Sequence, residues 1–434
     1  MFRYISLIFA IITCQAAFSA SFLSPDQFID GGNYYPGTEY SYNIYIPDGY
    51  TGEKEACLYL GFDGILCNAP KVFDELITKG AMPPVIGVFV NPGIIKTDDG
   101  SVIRYNRSNE YDSTDNRLAL WVKNVLLKDV RKYKLPNGKT LKLSTNPDDC
   151  AVFGASSGGI AAFTLAWHRP DMFHRVFSAA GSFVSMRGGH NLHALIRKTE
   201  PKPLKIFIQD GSEDAWNPLF GHWYEGNKIL VSALEFAGYD IRCDWTETGH
   251  SISRANEIFS NVMRWLWKDH SNPIKVGQTR NDFLSSLLIP EENWALTIQE
   301  PKTSSKSAIY PGGSLEAFAK DGDNMIWQAV LDKSGKHLYE QRFYALHSYD
   351  NLPVKVYDLT FDSNGNLYAA TNWGIQICDQ NGRVRGIIHI PNGLTASSIE
   401  ITDGKINVQT EKGAFSRKMN ILKPNGTPKS QGQG

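Results

Sequence analysis

The chain has 434 residues, which is long enough for two or three domains with separate hydrophobic cores. Its 44 basic and 45 acidic residues give a formal net charge of −1, so the composition offers no basic field for nucleic acid. The 22 Phe, 19 Tyr and 10 Trp residues are typical of a globular protein and argue against an intrinsically disordered chain.

The N-terminal segment 1–20 has the composition of an export signal. Arg3 supplies a positive start, Ile5–Ile12 is apolar, and Ala17–Ala20 offers small residues for cleavage. The apolar run is too short to span a bilayer, so we predict a signal peptide and no transmembrane segment. We do not expect a lipoprotein, because Thr13 is atypical before the cysteine of a lipoprotein signal, here Cys14. The mature protein is therefore expected to be secreted or periplasmic.

Of the six cysteines, five lie outside this segment, and an odd, sparse set does not predict a disulfide framework. Cys57, Cys150 and Cys243 lie in strand-like apolar runs, where we expect them to be buried as small hydrophobic residues. No cysteine has a neighbouring Cys or His at metal-ligand spacing, so we predict no metal site and no cofactor.

Residues 21–270 alternate between strand-like and helix-like segments. The predicted strands are Tyr40–Ile46, Cys57–Gly61, Val85–Val90, Ala151–Phe153, Val176–Ser178, Leu204–Ile208 and Arg242–Trp245. The predicted helices are Ser113–Tyr133, Gly158–Trp167, 223–237 and Ile252–Trp267. Short, continuously apolar strands between helices indicate a parallel sheet covered on both faces, which predicts an α/β domain.

The composition changes after this domain. Residues 271–310 are polar and rich in proline, and we predict a linker there. Residues 311–420 contain short strands separated by recurring turns, Asp332–Gly335, Asp362–Gly365 and Asp379–Gly382. The spacing of about 40 residues leaves room for about three repeated units in a small all-β domain. Residues 421–434 are expected to be a disordered tail.

A glycine- and serine-rich segment, GASSGG at Gly154–Gly159, lies between a predicted strand and a predicted helix. This is the setting of a nucleophile elbow, in which a strained turn exposes a serine and small neighbours let strand and helix approach closely. The sequence therefore predicts Ser156 as a catalytic nucleophile.

A serine nucleophile needs a base and an orienting acid, and in this type of fold they follow it in the order acid, then histidine. Carboxylates occur at the end of the next-to-last strand, where Asp214 is the preferred acid and Asp210 and Glu213 are alternatives. The last strand ends at His250, the predicted base.

Backbone N–H groups are expected to stabilise the developing oxyanion. Candidates are Ser157, which follows the nucleophile, and the loop of Phe62, Asp63 and Gly64. His190 precedes the acid in the chain, so we interpret it as a substrate-pocket residue rather than the base. The other histidines considered flank helices and are expected at the surface: His168, His174 and His222.

Several of these motifs together resemble the esterase D group, which includes enterochelin-type esterases and the feruloyl and acetyl-xylan esterases of carbohydrate esterase family one. The matching segments over residues 36–268 are NRSNEYD from Asn106, GASSGG, GSFVSMRGGH, QDGSED, FAGYD and TGHS. The resemblance implies an α/β-hydrolase that uses acyl-serine chemistry without a metal. Carried over by position, it implies Ser156 as nucleophile, Asp214 as acid and His250 as base.

The same resemblance implies that Arg107 and Glu110 border the acyl pocket, although they could instead pair with each other to fix their loop. Trp216 and Trp223 lie beside the acid and suit stacking on a sugar or an aromatic acyl group. Burial against the neighbouring helix explains these two tryptophans equally well.

Residues 310–418 resemble part of the gluconolactonase and luciferin-regenerating propeller family, above all in FDSNGNLYAATNWGIQICDQNGRV from Phe361. The chain has room for about half of the blades of that fold. The Asp-Gly pair of the family is replaced here by Tyr357 and Asp358. We therefore expect a partial propeller that serves as an accessory module.

Together these features predict an exported serine esterase that removes feruloyl or acetyl groups from plant-type carbohydrate. One alternative is an enterochelin-type siderophore trilactone esterase. The pocket loops contain few cations for so anionic a substrate, namely Arg104, Arg107 and Arg187. Another alternative is a sugar lactonase or a carbohydrate-binding protein with an inactive hydrolase domain. The sequence carries no signal for an oligomeric state, and no nucleic acid partner is expected.

Overall fold

The structure is a computed structural model that describes residues 20–298, 301–350 and 352–424. The predicted signal peptide lies outside the described residues except for Ala20, and so does the predicted tail beyond Pro424. Within the described ranges, none of the helices is long and apolar enough to cross a membrane.

The N-terminal part contains thirteen strands and eight helices among the described residues. The strands are β1 (Phe22–Leu23), β2 (Gln27–Asp30), β3 (Glu39–Ile46), β4 (Cys57–Phe62), β5 (Val85–Val90), β6 (Ile94–Lys96), β7 (Val102–Tyr105), β8 (Cys150–Ala155), β9 (Arg175–Ala179), β10 (Lys205–Glu213), β11 (Trp216–Asn217), β12 (Gly221–His222) and β13 (Asp240–Gly249). The helices are α1 (Ala69–Thr78), α2 (Arg107–Tyr111), α3 (Arg117–Trp121), α4 (Leu127–Val130), α5 (Ser157–His168), α6 (Leu192–Lys198), α7 (Trp223–Phe236) and α8 (Ser253–Trp267). A π-helical turn, Val122–Leu126, joins α3 to α4.

Most of these strands form one large sheet with the order β13-β10-β9-β8-β4-β5-β3-β6-β7. Neighbouring strands from β13 to β5 run parallel, whereas β3, β6 and β7 continue the sheet in antiparallel pairs. Strands β4 and β5 are buried along their whole length, which explains their continuous apolar sequences. The prediction of an α/β domain is confirmed.

Helices cover both faces of the sheet, and each face has its own hydrophobic cluster. One cluster includes Trp121, Phe163 and Leu230, and brings α3, α5 and α7 against the sheet. The other includes Phe73 and Phe259, which bring α1 and α8 against the opposite face. Because the central strands are parallel, the loops that follow β8, β10 and β13 meet at one edge of the sheet.

The C-terminal part adds one helix, α9 (Asp282–Leu287), and three four-stranded antiparallel sheets in the described residues. Their strands are β14 (Ala295–Thr297), β15 (Ser307–Ile309), β16 (Leu315–Ala319), β17 (Met325–Leu331), β18 (His337–Ala345), β19 (Val356–Phe361), β20 (Leu367–Thr371), β21 (Gly374–Cys378), β22 (Val384–Ile388), β23 (Ser398–Thr402), β24 (Lys405–Thr410) and β25 (Gly413–Lys418). The sheet orders are β14-β25-β24-β23, β15-β16-β17-β18 and β19-β20-β21-β22. The interpretation of these sheets as propeller blades stays a prediction.

The segment 271–310, predicted as a linker, is more structured than its composition indicates. It contains α9, β14 and β15. Strand β14 pairs with β25, with Ala295 opposite Ser416. The strand forms because of this pairing with a distant segment, which the local sequence does not predict. Strands β14 and β15 thus pair with the C-terminal sheets, whereas the Ile274 and Arg280 N–H groups donate to Asp148 and Phe236 of the α/β domain.

Three expectations about burial also need correction. His168, expected at the surface, is half-buried, and its ring packs against Tyr349 and Trp373. Cys57 and Cys150 are buried, but Cys243 is exposed because β13 is the outermost strand at its end of the sheet. His174, expected at the surface, is only 7% exposed, and its Nδ1 lies 2.7 Å from Asp148 Oδ1.

Candidate active site

A sharp turn connects β8 to α5 and places Ser156 between them. Its backbone angles, φ 58° and ψ −121°, are ones that residues other than glycine rarely adopt. A Cβ atom on Gly154 would lie 2.0 Å from the Gly158 carbonyl oxygen, so the approach of strand and helix requires glycine there. The local sequence therefore produces the strained elbow that it predicts.

The loops after β10 and β13 bring an acid and a histidine to this serine. His250 Nε2 lies 2.8 Å from Ser156 Oγ, and His250 Nδ1 lies 2.6 Å from Asp214 Oδ1. Asp214 has a fully buried side chain, whereas the His250 side chain is about one-third exposed, at 34%. The imidazole is therefore accessible to solvent, and its hydrogen bond to the buried Asp214 carboxylate fixes its orientation.

The three carboxylates at the end of β10 have different surroundings. Glu213 is exposed. Asp210 is fully buried, and its two oxygens accept hydrogen bonds from the Gly211 N–H and from Asn227 Nδ2, each at 2.8 Å. Of the three, Asp214 is the one in contact with His250.

Asp210 and Asp214 also differ in ionisation. Burial, followed by the hydrogen bond to Asp214 and its charge, raises the pKa of Asp210. Burial by itself would raise the pKa of Asp214, but hydrogen bonds with His250, Asp210 and the Ala215 N–H outweigh it and lower that pKa. A neutral Asp210 can thus donate a hydrogen bond to an ionised Asp214, whose Oδ2 is otherwise buried without a partner among the described residues.

The predicted oxyanion loop lies beside the elbow. The Gly64 N–H donates to the Val90 carbonyl oxygen at 3.0 Å, so it is not free to bind substrate, contrary to its inclusion among the candidates. Ser157 begins α5, and helix N-termini present N–H groups to anions. Phe62 is fully buried against the Tyr111 ring, and Asp63 has a positive φ of 62°. Ser157 and the Phe62–Asp63 segment stay the predicted donors, although Phe62 is also paired with Val90 in the sheet.

Arg107 and Glu110 do not pair with each other. Arg107 Nε and Nη2 donate to the Asp63 carboxylate at 2.7 and 2.8 Å, and Nη2 also lies 3.3 Å from the Ala155 carbonyl oxygen. Glu110 is fully buried and accepts hydrogen bonds from Tyr40 Oη and the Gly93 N–H. Arg107 therefore joins the oxyanion loop to the elbow, and Glu110 holds α2 against the sheet away from solvent.

Aromatic side chains surround the triad in two different ways. Trp216, on the β11–β12 hairpin, is 67% exposed. Trp223 is buried, donates from Nε1 to Ser182 Oγ at 3.1 Å, and packs its ring edge-on to His250. Burial thus explains Trp223, and Trp216 is free to contact a bound molecule.

His190 is exposed and lines a cavity of about 210 Å³ together with Phe183, Phe220 and His222. The wall of the cavity is mostly apolar. The described residues contain no group of three or more His, Cys, Asp or Glu side chains that could hold a metal ion.

Sequence reasoning missed two residues that support the site. Asn227, on α7, binds the Asp210 carboxylate and also the Gly181 carbonyl oxygen. Asp112 is buried beside the hydroxyl of Ser157. Nothing in the local sequence marks Asn227, whereas Asp112 lies within the NRSNEYD motif.

The fold and the site can be compared with solved structures. A ferulic acid esterase is similar with a TM-score of 0.42 and 14% identity, over 57% of this chain and 99% of its own. The enterobactin esterase FES from Shigella flexneri has a TM-score of 0.44 and 20% identity, over 57% of this chain and 61% of its own. Ferric enterobactin esterase from Salmonella typhimurium has a TM-score of 0.44 and 18% identity, over 58% and 60%. This chain therefore spans less than two thirds of either enterobactin esterase.

No curated protein sequence matches the chain. A family model described as putative esterase matches residues 34–350, well over half of the 434 residues. The match includes the elbow, the acid, the histidine and the loop of Arg107. The chain belongs to the putative esterase family.

Proposed function

We propose that the protein is an exported serine esterase that hydrolyses carboxylic esters, with feruloyl or acetyl groups on plant-type carbohydrate as its substrates. The observation that carries the proposal is the hydrogen-bonded series Ser156–His250–Asp214 on a strained elbow. Membership of the putative esterase family supports ester hydrolysis as the reaction class.

The proposed reaction follows from this geometry. His250 takes the proton of Ser156 as Oγ attacks the ester carbonyl, and the buried Asp214 carboxylate stabilises the imidazolium that forms. Backbone N–H groups of Ser157 and the Phe62–Asp63 segment stabilise the tetrahedral oxyanion, and loss of one such donor typically costs about 2.7–4 kcal/mol of barrier. His250 protonates the leaving alcohol and then activates the water that hydrolyses the acyl-enzyme.

Surface chemistry near the triad favours an aromatic or sugar-linked ester. Trp216 is exposed on its hairpin, and an exposed indole offers a flat face for a sugar ring or a phenolic acyl group. None of the three triad residues lines the mostly apolar cavity at His190. Trp216 is therefore the feature that suits a feruloyl ester better than a purely aliphatic one.

The siderophore alternative needs a cationic pocket, and the arginines near the site are largely paired. Arg107 pairs with Asp63, and Arg187 pairs with Asp350. Of the three arginines, Arg104 is the one without a carboxylate partner among the described residues, and its Nε donates to Asn106 Oδ1 at 2.9 Å. A strongly anionic ferric triscatecholate therefore finds little complementary charge here.

The test is hydrolysis of p-nitrophenyl acetate, methyl ferulate and feruloylated or acetylated xylo-oligosaccharides by the wild type and Ser156→Ala. Loss of Ser156 Oγ should abolish acyl-enzyme formation, with kcat falling by about 10⁶-fold. Ser212→Ala, which changes an exposed serine outside the triad, should keep wild-type rates.

A result with equal rates for Ser156→Ala and the wild type would overturn the assignment. Activity that requires a divalent metal and survives Ser156→Ala would instead indicate a lactonase in the β-sheet region. A folded wild type that does not react with a fluorophosphonate would indicate an inactive hydrolase domain.

A further inference from the structure

The segment between β18 and β19 leaves the β-sheet region and packs against the α/β domain. Tyr349 is buried, its hydroxyl accepts a hydrogen bond from Trp167 Nε1 at 3.1 Å, and its ring packs edge-on to His168. Trp167 and His168 form the C-terminal end of α5, the helix that begins immediately after Ser156. A loop of the β-sheet region is thus seated against the helix that carries the elbow.

The next residue, Asp350, makes a set of polar contacts with the α/β domain. Its Oδ2 accepts hydrogen bonds from Arg187 Nη2 and from Ser113 Oγ, both at 3.0 Å. Its N–H donates to Thr114 Oγ1 at 2.9 Å. The side chain is only 8% exposed, so these contacts are shielded from water and the carboxylate depends on them.

Arg187 connects Asp350 to helix α2. Besides Asp350, its guanidinium binds Asn109 Oδ1 through Nη1 at 3.0 Å. Asn109 belongs to α2, which starts at Arg107, the residue that binds both Asp63 and the Ala155 carbonyl oxygen. An unbroken series of contacts therefore runs from Asp350 to the oxyanion loop and the elbow.

From these contacts we propose that Asp350 is a positioning residue of the active site. It holds the segment of Arg107 to Thr114 and the Arg187 loop in one arrangement, and the β-sheet region acts through it as an intramolecular brace for the oxyanion loop. The proposal rests on the proposed esterase function, since the geometry it protects is that of Ser156 and its oxyanion donors.

An ion pair that only holds the two parts of the chain together would affect stability and leave kcat unchanged. The protein contains such a pair, which serves as a control. Arg417 Nη1 and Nη2 bind the Glu200 carboxylate at 2.8 and 2.6 Å, and this pair, like that of Arg187 and Asp350, connects the α/β domain to the β-sheet region. This pair follows α6 and does not contact the segment of Arg107 to Thr114. It should matter for stability and leave catalysis unchanged.

The experiment compares Asp350→Ala, Asp350→Asn and Glu200→Gln in the full chain. With p-nitrophenyl acetate as probe, Asp350→Ala should lower kcat by roughly 10- to 100-fold with little change in KM, because a shift of about 1 Å at the reacting groups has effects of this size. Asp350→Asn keeps a carbonyl oxygen for Ser113 and a residue that tolerates the positive φ of 48°, so its loss should be smaller. Glu200→Gln should keep the wild-type kcat.

Hydrogen exchange in residues 107–114 supplies a readout that does not need turnover. Exchange there should be faster in Asp350→Ala than in the wild type and unchanged in Glu200→Gln. Equal kcat values for Asp350→Ala and Glu200→Gln would overturn the proposal, and so would a wild-type kcat in Asp350→Asn when Asp350→Ala does not fold. Because Ser156→Ala serves as the inactive reference, failure of the brace is distinguishable from failure of the esterase assignment.

Discussion

At the residue scale, two carboxyl groups at the end of β10 are driven to opposite ionisation by their surroundings. Burial beside a second carboxylate raises the pKa of Asp210. Hydrogen bonds from His250, Asp210 and the Ala215 N–H lower the pKa of Asp214 against the effect of burial. Titratable pairs whose pKa values are pushed apart in this way are typical of catalytic sites. The anion faces His250, and the neutral carboxyl supports it from behind.

This division predicts unequal effects of two similar substitutions. Asp214→Asn should lower kcat by about 10⁴-fold, because an amide stabilises the wrong imidazole tautomer and supplies no charge to the imidazolium. Asp210→Asn keeps an N–H donor toward Asp214 but loses an acceptor for the Gly211 N–H or for Asn227 Nδ2, so its loss of kcat should be smaller than that of Asp214→Asn. Steady-state rates on p-nitrophenyl acetate measure both.

Glu213→Gln is the control for these substitutions, since Glu213 is exposed and makes no contact with His250. Its kcat should equal that of the wild type. A loss in Glu213→Gln as large as that in Asp214→Asn would contradict the assignment of the acid.

At the element scale, the close approach of β8 and α5 depends on residues without side chains. A Cβ on Gly154 would collide with the Gly158 carbonyl, and one on Gly159 would lie 2.8 Å from Ser178 Oγ on β9. The tightness of this unit makes the backbone angles of Ser156 tolerable, because the surrounding packing leaves no room for relaxation.

Gly154→Ala should therefore lower the free energy of unfolding by at least about 1–3 kcal/mol through overpacking. It should also slow reaction of Ser156 with a fluorophosphonate, because the helix must move away from the strand. Gly49→Ala is the control, because Gly49 has φ 72° and nothing within 4 Å of the added Cβ, so this substitution adds backbone strain without overpacking.

The free energy of unfolding of both variants is measured by chemical denaturation, and the reaction of Ser156 is measured by the rate of fluorophosphonate labelling. Equal labelling rates for Gly154→Ala and the wild type would contradict the argument.

The elements also differ in how far local sequence predicts them. The central strands β4, β5, β8 and β9 have short apolar runs, and their predicted positions agree with the structure within a few residues, as for Val85–Val90. Strand β14 has no such signal, because it is short and mostly exposed and depends on pairing with β25. Edge strand β7 is exposed at every position and has no apolar run that would predict it.

At the scale of the whole molecule, two histidines are half-buried where the α/β domain meets the β-sheet region. His168 packs against Tyr349 and Trp373, and burial followed by the charge of Lys202 lowers its pKa to about 3. Burial and then the charge of Lys198 lower the pKa of His347 to about 4. The interface therefore holds these histidines in the neutral form.

This predicts a loss of stability in acid. Because the pKa of His168 is lower in the folded protein than in the unfolded chain, the unfolded chain binds a proton at a higher pH. The free energy of unfolding therefore falls as the pH drops from 6.5 to about 3. The slope is at most about 1.4 kcal/mol per pH unit for one such group. His168→Gln should reduce the acid dependence of the melting temperature measured by circular dichroism.

His337→Gln is a control of opposite sign. Hydrogen bonds to Glu316 and Glu340 raise the pKa of His337, so its pairing stabilises the fold at low pH and that contribution is lost as the pH rises. Its removal should make the acid dependence steeper. An unchanged pH profile in His168→Gln would show that the buried histidine does not control acid stability.

Residue patterns alone were enough to predict the elbow, the order of serine, acid and histidine, and the parallel sheet that supports them. These follow from short-range patterns: glycines where strand and helix touch, and apolar runs that must be buried on both faces. The folded chain was needed to show which of three neighbouring carboxylates contacts His250, that Arg107 pairs with Asp63 rather than Glu110, and that Asp350 contacts Arg187. Arg187 and Asp350 are 163 positions apart, and a contact over that distance depends on how the whole chain packs and has no local signal.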